Sequence, residues 1–143
     1  MSIEVAYHDR PGYLFVEARG EWRLDDTRRE IENIRREADR RGYTRLLVDS
    51  RELSAPDTEM TRFYTGEHIA EFWRRPLKVA SLALPEIINN FAENVAVNRG
   101  AHYAVFTDEQ AAIDWLLQGS GDSGSGDSGS GESGPAEPSS DGA

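Results

Sequence analysis

The sequence predicts an α/β domain, a mixed five-stranded sheet with its elements in the order β-β-α-β-α-β-α-β-α, and three observations lead there. Ile3, Val5 and Tyr7 alternate with Glu4, Ala6 and His8, the period of a strand wet on one face. After Gly20 the period changes to that of a helix, with Leu24, Thr27, Ile31, Ile34 and Ala38 on one narrow stripe. Leu46, Leu47 and Val48 then run unbroken, as in a strand buried on both faces in the middle of a parallel sheet.

Each element follows in turn. Pro11 and Gly12, a fixed φ followed by a permissive one, suit a tight turn from the first strand into Tyr13 to Ala18, so these two strands form a hairpin. The first helix ends at Gly42. Its many arginines are interleaved with acids; Glu32 and Arg36, or Glu37 and Arg41, sit one turn apart, which makes this a solvated ion-paired surface rather than a basic binding face. Arg45 to Asp49 is the third strand, Thr58 to Trp73 the second helix and Lys78 to Leu84 the fourth strand. Pro85 opens a third helix with Ile87, Ile88, Phe91, Ala92 and Val95 on one side, and Gly100 stops it. His102 to Phe106 is the last strand; Thr107 and Gln110 form a capping box for a final helix that buries Ala111, Ala112, Trp115 and Leu116. Strands alternating with helices require crossovers, which make consecutive strands parallel and leave only the hairpin strand antiparallel.

The domain expected to fold spans residues 1 to 118. From Gly119 the chain reads GSGDS, GSGDS, GSGES and GPAEPSSDGA, with no apolar residue larger than alanine, so 119 to 143 is expected to be disordered. That tail reads as a soluble spacer or as serines beside acids that a kinase modifies. All 16 lysines and arginines precede it, and Asp122, Asp127, Glu132, Glu137 and Asp141 lie within it, so it holds half of the net charge of −10. An acidic domain with an acidic tail argues against nucleic acid and against anionic lipid as partners. No stretch approaches the ~20 apolar residues of a membrane span, and the N-terminus lacks a basic stretch followed by an apolar one, so a cytoplasmic protein is expected. The absence of cysteine excludes a disulfide scaffold and a thiolate site.

The stretch LLVDSRELSAPDTEM, 46 to 60, is the best functional lead. It leaves a strand through Asp49 and Ser50, and reaches a second acid and hydroxyl, Asp57 and Thr58, at the start of the next helix. On the residues alone, Ser54, Asp57 or Thr58 is a helix cap, worth ~1 kcal/mol.

Three motifs and the element order add a second reading. GEWRLDDTRREIENI after the second strand, LLVDSREL closing the third, and FTDEQAAIDWLL at the end, together with PEIINNFAENVAVNRGAHYAVFT between them, resemble the STAS superfamily in its stand-alone SpoIIAA-like branch, over residues 3 to 117. This is the fold of bacterial anti-sigma-factor antagonists. The resemblance implies a non-enzymatic regulatory domain without cofactor, whose partner is an anti-sigma factor or a kinase-like regulator. It implies a contact loop of Asp49, Ser50, Ser54, Asp57, Thr58 and Glu59, with Thr58 in the position of a phosphorylatable serine and Ser50 and Ser54 as weaker acceptors. The chain departs from the pattern in having threonine there, and Glu59, Met60 and Thr61 in place of a small glycine-containing stretch. A phosphate at a helix N-terminus would be held by backbone N–H groups and would add negative charge beside Asp57 and Glu59, repelling a partner that accepts the neutral hydroxyl.

The second helix carries a further expectation. Met60, Phe63 and Tyr64 lie on one side of its wheel, Ile69, Phe72 and Trp73 largely on another, with Gly66 between them. Either the helix breaks near Thr65 and Gly66 so that both groups face the core, or one group is exposed as a partner or homodimer surface. Met60, Phe63, Tyr64, Phe72 and Trp73 are thus a candidate apolar surface, or the lining of a pocket for a small lipid-like ligand under that helix. No H-E-x-x-H, G-x-S-x-G or phosphate-loop motif is present. Glu67, His68 and Glu71 have a helical spacing open to a metal, but a lone histidine flanked by acids reads as solvated surface, and no metal site is expected. His8 and His102 are the other histidines open to catalysis; Asn94, Asn98 and Arg99 read as caps and dipole partners.

Overall fold

The computed structural model describes residues 3–56 and 58–118; the tail expected to be disordered lies outside them, as does Asp57. Nine elements follow in the expected order: β1 (Glu4–Arg10), β2 (Tyr13–Gly20), α1 (Leu24–Arg41), β3 (Arg45–Leu53), α2 (Glu59–Phe72), β4 (Lys78–Leu82), α3 (Phe91–Asn98), β5 (His102–Phe106) and α4 (Glu109–Leu117). The five strands form one sheet in the order β1-β2-β3-β4-β5, with β1 antiparallel to β2 and every other pair parallel. The mixed five-stranded sheet of the sequence reading is borne out.

Because strand order advances in one direction, crossovers of one hand place their helices on one face. Ile31, Ile34 and Ala38 of α1, Ile69 of α2, Trp73 just beyond it, and Ala96 of α3 form one core with Leu14, Val16, Leu46, Val48 and Val79. After the last strand no crossover remains, and α4 covers the other face, where Ala112 and Leu116 meet Leu47, Ala80 and Leu82. Leu46 and Val48 thus face one layer and Leu47 the other, all buried, which is why that run has no polar alternation.

Several boundaries differ from expectation, each for a local reason. β3 continues to Leu53 because, past a register shift between Glu17 and Arg19, it goes on pairing with Arg19 and Gly20 of β2, whereas β4 stops at Leu82 opposite Asp49. The third helix starts at Phe91 rather than at Pro85: Asn90 takes the left-handed conformation (φ 65°), and the residues after Pro85 make only a turn closed by Ile87 N–H to Leu84 O at 3.0 Å. Asp108, not Thr107, caps α4, its Oδ2 accepting from Ala111 N–H at 2.8 Å, while Gln110 donates to Asp114 instead of completing a capping box. In α4 only Ala112 and Leu116 are buried; Trp115 is half-buried and Ala111 exposed.

The second helix does not break. It runs from Glu59 to Phe72, and Gly66 is a point of close approach: a Cβ there would meet the Ala92 carbonyl oxygen at 2.6 Å and Val95 Cβ at 2.8 Å, both in α3. Its two apolar groups are reconciled by different neighbours. Phe63 packs on Tyr64 (5.3 Å between centroids) and on Phe91 (6.3 Å), Phe72 on His68 (4.9 Å), and Trp73 is buried with its Nε1 donating to Ile31 O at 2.9 Å. A helix wedged between α1, α3 and the sheet needs apolar residues on several sides, so it shows no single stripe.

Candidate functional site

The segment leaving β3 and entering α2 lies at the carboxyl ends of the parallel strands, where open α/β sheets present their loops. Its residues divide into tethered and free ones. Asp49 accepts from Arg51 three times, from the backbone N–H at 3.1 Å, Nε at 2.9 Å and Nη2 at 2.8 Å. Burial pushes its carboxyl up, but the hydrogen bonds and charge of Arg51 outweigh burial and hold it below the usual carboxylate range. Ser50 Oγ donates to Leu82 O at 2.7 Å, tying the projecting end of β3 to the end of β4. These two residues therefore have structural employment that the sequence did not reveal.

Beyond β3 the segment opens to solvent. Ser54 is exposed, anchored by its backbone N–H to Gly20 O at 2.9 Å. Thr58 is exposed and is the N-cap of α2: with extended backbone (φ −146°, ψ 162°) its Oγ1 accepts from Thr61 N–H at 3.2 Å. Glu59 follows, accepting from Asn89 Nδ2 at 3.2 and 3.1 Å and lying 3.3 Å from Arg62 Nε. Met60 completes the rim at 51% exposure.

The candidate apolar surface is divided by the fold. Trp73 belongs to the core, and Phe63, Tyr64 and Phe72 are half-buried between helices; Met60 alone of the five is exposed. With Phe91 and Val97 of α3 it makes up the exposed large apolar residues among those described.

One group escaped the sequence reading. Arg62 is buried, stacked over the Trp22 ring (5.1 Å) and donating through Nη2 to Ile87 O at 2.7 Å, while Trp22 Nε1 donates to Thr65 Oγ1 at 3.0 Å. This ties the α1 approach, α2 and the turn after Pro85 together behind Thr58. The only sequence signal was a tryptophan standing in a polar stretch, Gly20 to Asp26.

The other candidates are occupied elsewhere. His68 Nε2 lies 3.1 Å from Glu32 Oε2, and Glu67 pairs with Arg99 at 3.0 Å; among the described residues no group of three or more potential ligands is placed to hold a metal. His8 pairs with Glu17 at 2.9 Å. His102 is edge-on to Trp115, and burial, then the charges of Lys78 and Arg75, lowers its pKa to about 4. Between the sheet and the α1–α2 layer lies a cavity of about 100 Å³ lined by Ile3, Ile31, Ile34, Ile69 and Trp73 among others; Trp73 is the one member of the candidate apolar set that reaches it. Among the described residues no helix is long and apolar enough to cross a membrane.

No protein-family model matches the sequence, and no curated protein matches it. Solved structures do. An uncharacterised DUF3478-family protein with a SpoIIAA-like fold from Shewanella loihica is 24% identical, covering 80% of this chain and 93% of its own, with a TM-score of 0.49. An anti-sigma factor antagonist from Mycobacterium paratuberculosis is 13% identical, covering 82% and 96%, with a TM-score of 0.59. The anti-sigma factor antagonist SpoIIAA in its unphosphorylated form is 15% identical, covering 82% and 99%, with a TM-score of 0.45. The chain shares its fold with the mycobacterial antagonist, and in this chain that fold is a mixed five-stranded sheet with three helices on one face and one on the other.

Proposed function

We propose that this chain is a non-enzymatic regulatory domain that binds another protein through the segment from Ser50 to Glu59 and the first turn of α2, with Thr58 as its switch. One observation carries the reading: Thr58 is an exposed hydroxyl at the N-terminus of a long helix, at the rim where the strands end. A phosphate on that oxygen would stand at the positive end of α2, beside the backbone N–H groups of its first turn, next to Glu59, which accepts from Asn89 Nδ2. It would also add charge beside Glu59, so that a surface accepting the neutral hydroxyl and Met60 would be repelled. The fold shared with an anti-sigma factor antagonist supports a protein partner, and the sequence resemblance names its class, an anti-sigma factor or related kinase-like regulator.

The test incubates the full chain with ATP and a kinase-type anti-sigma factor. Phosphate located on Thr58, with at least about tenfold weaker binding by the phosphorylated chain and by Thr58→Glu than by Thr58→Ala, is the expected result. Phosphate on another residue alone, or equal binding by Thr58→Glu, would overturn the switch.

A carrier of lipid-like ligands is not favoured. The cavity of about 100 Å³ is smaller than the engineered cavity of about 150 Å³ that admits benzene, and an acyl chain has no room there.

A further inference from the structure

The two edges of the sheet are finished differently. At the β5 edge, α3 lies alongside and Glu93 Oε2 accepts the Val105 N–H at 3.1 Å, so a side chain occupies the ladder. Among the described residues the β1 edge has no such cover. The two-residue turn at Pro11 and Gly12 makes Arg10 and Tyr13 the closing hydrogen-bonded pair, and pairing alternates from there. Arg10, His8, Ala6 and Glu4 direct their backbone groups at β2, whereas Val5, Tyr7 and Asp9 direct theirs outward. Among the described residues none accepts from those three N–H groups, and of their carbonyls only that of Asp9 is engaged, by Arg10 Nη1 at 3.3 Å.

The open edge is held firmly. Asp9 Oδ1 accepts from Tyr43 OH at 2.9 Å and from Arg41 Nη1 at 3.2 Å, and the Arg41 guanidinium lies over the Tyr7 ring. On the other face α4 packs on β3, β4 and β5, with Tyr13 and Phe15 of β2 at the margin of that core, while Glu4, Ala6 and Arg10 of β1 are exposed and His8 is half-buried.

We propose that β1 pairs antiparallel with β1 of a second copy of this chain, about a two-fold axis at Tyr7, extending the sheet through both copies. In that register Tyr7 exchanges both backbone hydrogen bonds with its counterpart, and Val5 exchanges both with Asp9 on either side. The outward-facing groups are the ones used. Glu4 then falls opposite Arg10 of the second copy, twice by symmetry, at a non-hydrogen-bonded position where side chains approach most closely. Charges on an edge ordinarily deter pairing. Here they select: parallel pairing sets Glu4 against Glu4, a one-residue slip sets Glu4 against Asp9, and a two-residue slip leaves Arg10 without its acid. A closed two-fold contact of this kind stops at the dimer.

The pairing uses none of the residues of the proposed switch, which follows β3. It is tested on the full chain by sedimentation equilibrium from low to high micromolar concentration, with thermal unfolding to confirm that each variant folds. A dimer is expected, with Glu4→Arg and Arg10→Glu each weakening it about tenfold and the double exchange restoring it. Concentration-dependent protection of the Val5, Tyr7 and Asp9 amides against hydrogen exchange is the second expected readout. A chain that stays monomeric throughout, a dimer indifferent to the single exchanges, a double exchange that fails to restore it, or unprotected amides in the dimer would each overturn the pairing.

Discussion

Replacing Gly66 by alanine sets two effects of known size against each other. In an unencumbered helix interior the change stabilises by about 1 kcal/mol, because alanine loses less backbone entropy and propagates the helix better. Here the new Cβ would sit 2.6 Å from the Ala92 carbonyl oxygen and 2.8 Å from Val95 Cβ. Neither is the far end of a flexible side chain, so α3 must move as a unit, and overpacking of this kind costs about 1–3 kcal/mol plus whatever the displaced Phe63–Phe91 contact contributed. The clash wins, leaving a net destabilisation of about 1–2 kcal/mol. For a domain of this size, that is a drop in Tm of roughly 4–8 °C. Urea unfolding at constant m-value, alongside thermal melts, measures it. A Gly66→Ala chain more stable than the parent would mean that helix propensity acts unopposed, and that α3 does not lie against α2 at this point.

Other substitutions probe the site and its support. Thr58→Ala removes the cap of α2 and is expected to cost ~1 kcal/mol, whereas Thr58→Asp keeps an acceptor and costs less; denaturant midpoints at equal m distinguish them. Trp73→Phe removes the indole donor from the Ile31 carbonyl, which keeps its place in the α1 ladder, and shrinks a packed side chain, for a loss of about 1–2 kcal/mol in the same assay. His102 has a folded pKa lowered to about 4, below its unfolded value of about 6.5. The unfolded chain therefore binds the extra proton between those values, so stability should fall as pH drops through that window, by on the order of 2 kcal/mol, and this part of the fall should vanish in His102→Gln. A pH profile identical in parent and variant would show that the imidazole is not desolvated against Trp115.

Much of the fold was legible because it is written in short-range periodicity. The alternation of Val5 and Tyr7, the stripe from Thr27 to Ala38 and the unbroken Leu46 to Val48 each report how many faces of an element are covered, and each was found as expected. Turn chemistry was as readable: Gly42 ends α1 in the left-handed conformation (φ 81°). Where a short-range rule had two solutions, the reading slipped. Pro85 is compatible with a helix start and with a turn, and Asn90 decided for the turn. Thr107 and Asp108 both cap well, and the carboxylate took the position.

The candidate site was legible in outline only. That a hydroxyl would stand at the start of α2 followed from the cap pattern, and Thr58 is there. That Ser50 would be spent on Leu82, Asp49 on Arg51, and Arg62 on Trp22 and Ile87 did not, because each bond joins groups brought together by strand register or by helix packing.

By itself, then, the order of residues determined which stretches would be strands and helices and where the chain would turn, since those choices rest on neighbours within about one or two turns. Only the tertiary structure decided which face each helix covers, why Gly66 sits mid-helix, and which polar groups remain free at the rim. Those outcomes depend on surfaces far apart in the chain meeting at van der Waals distance, and a glycine, a serine or an arginine is spelled the same whether or not that meeting takes place.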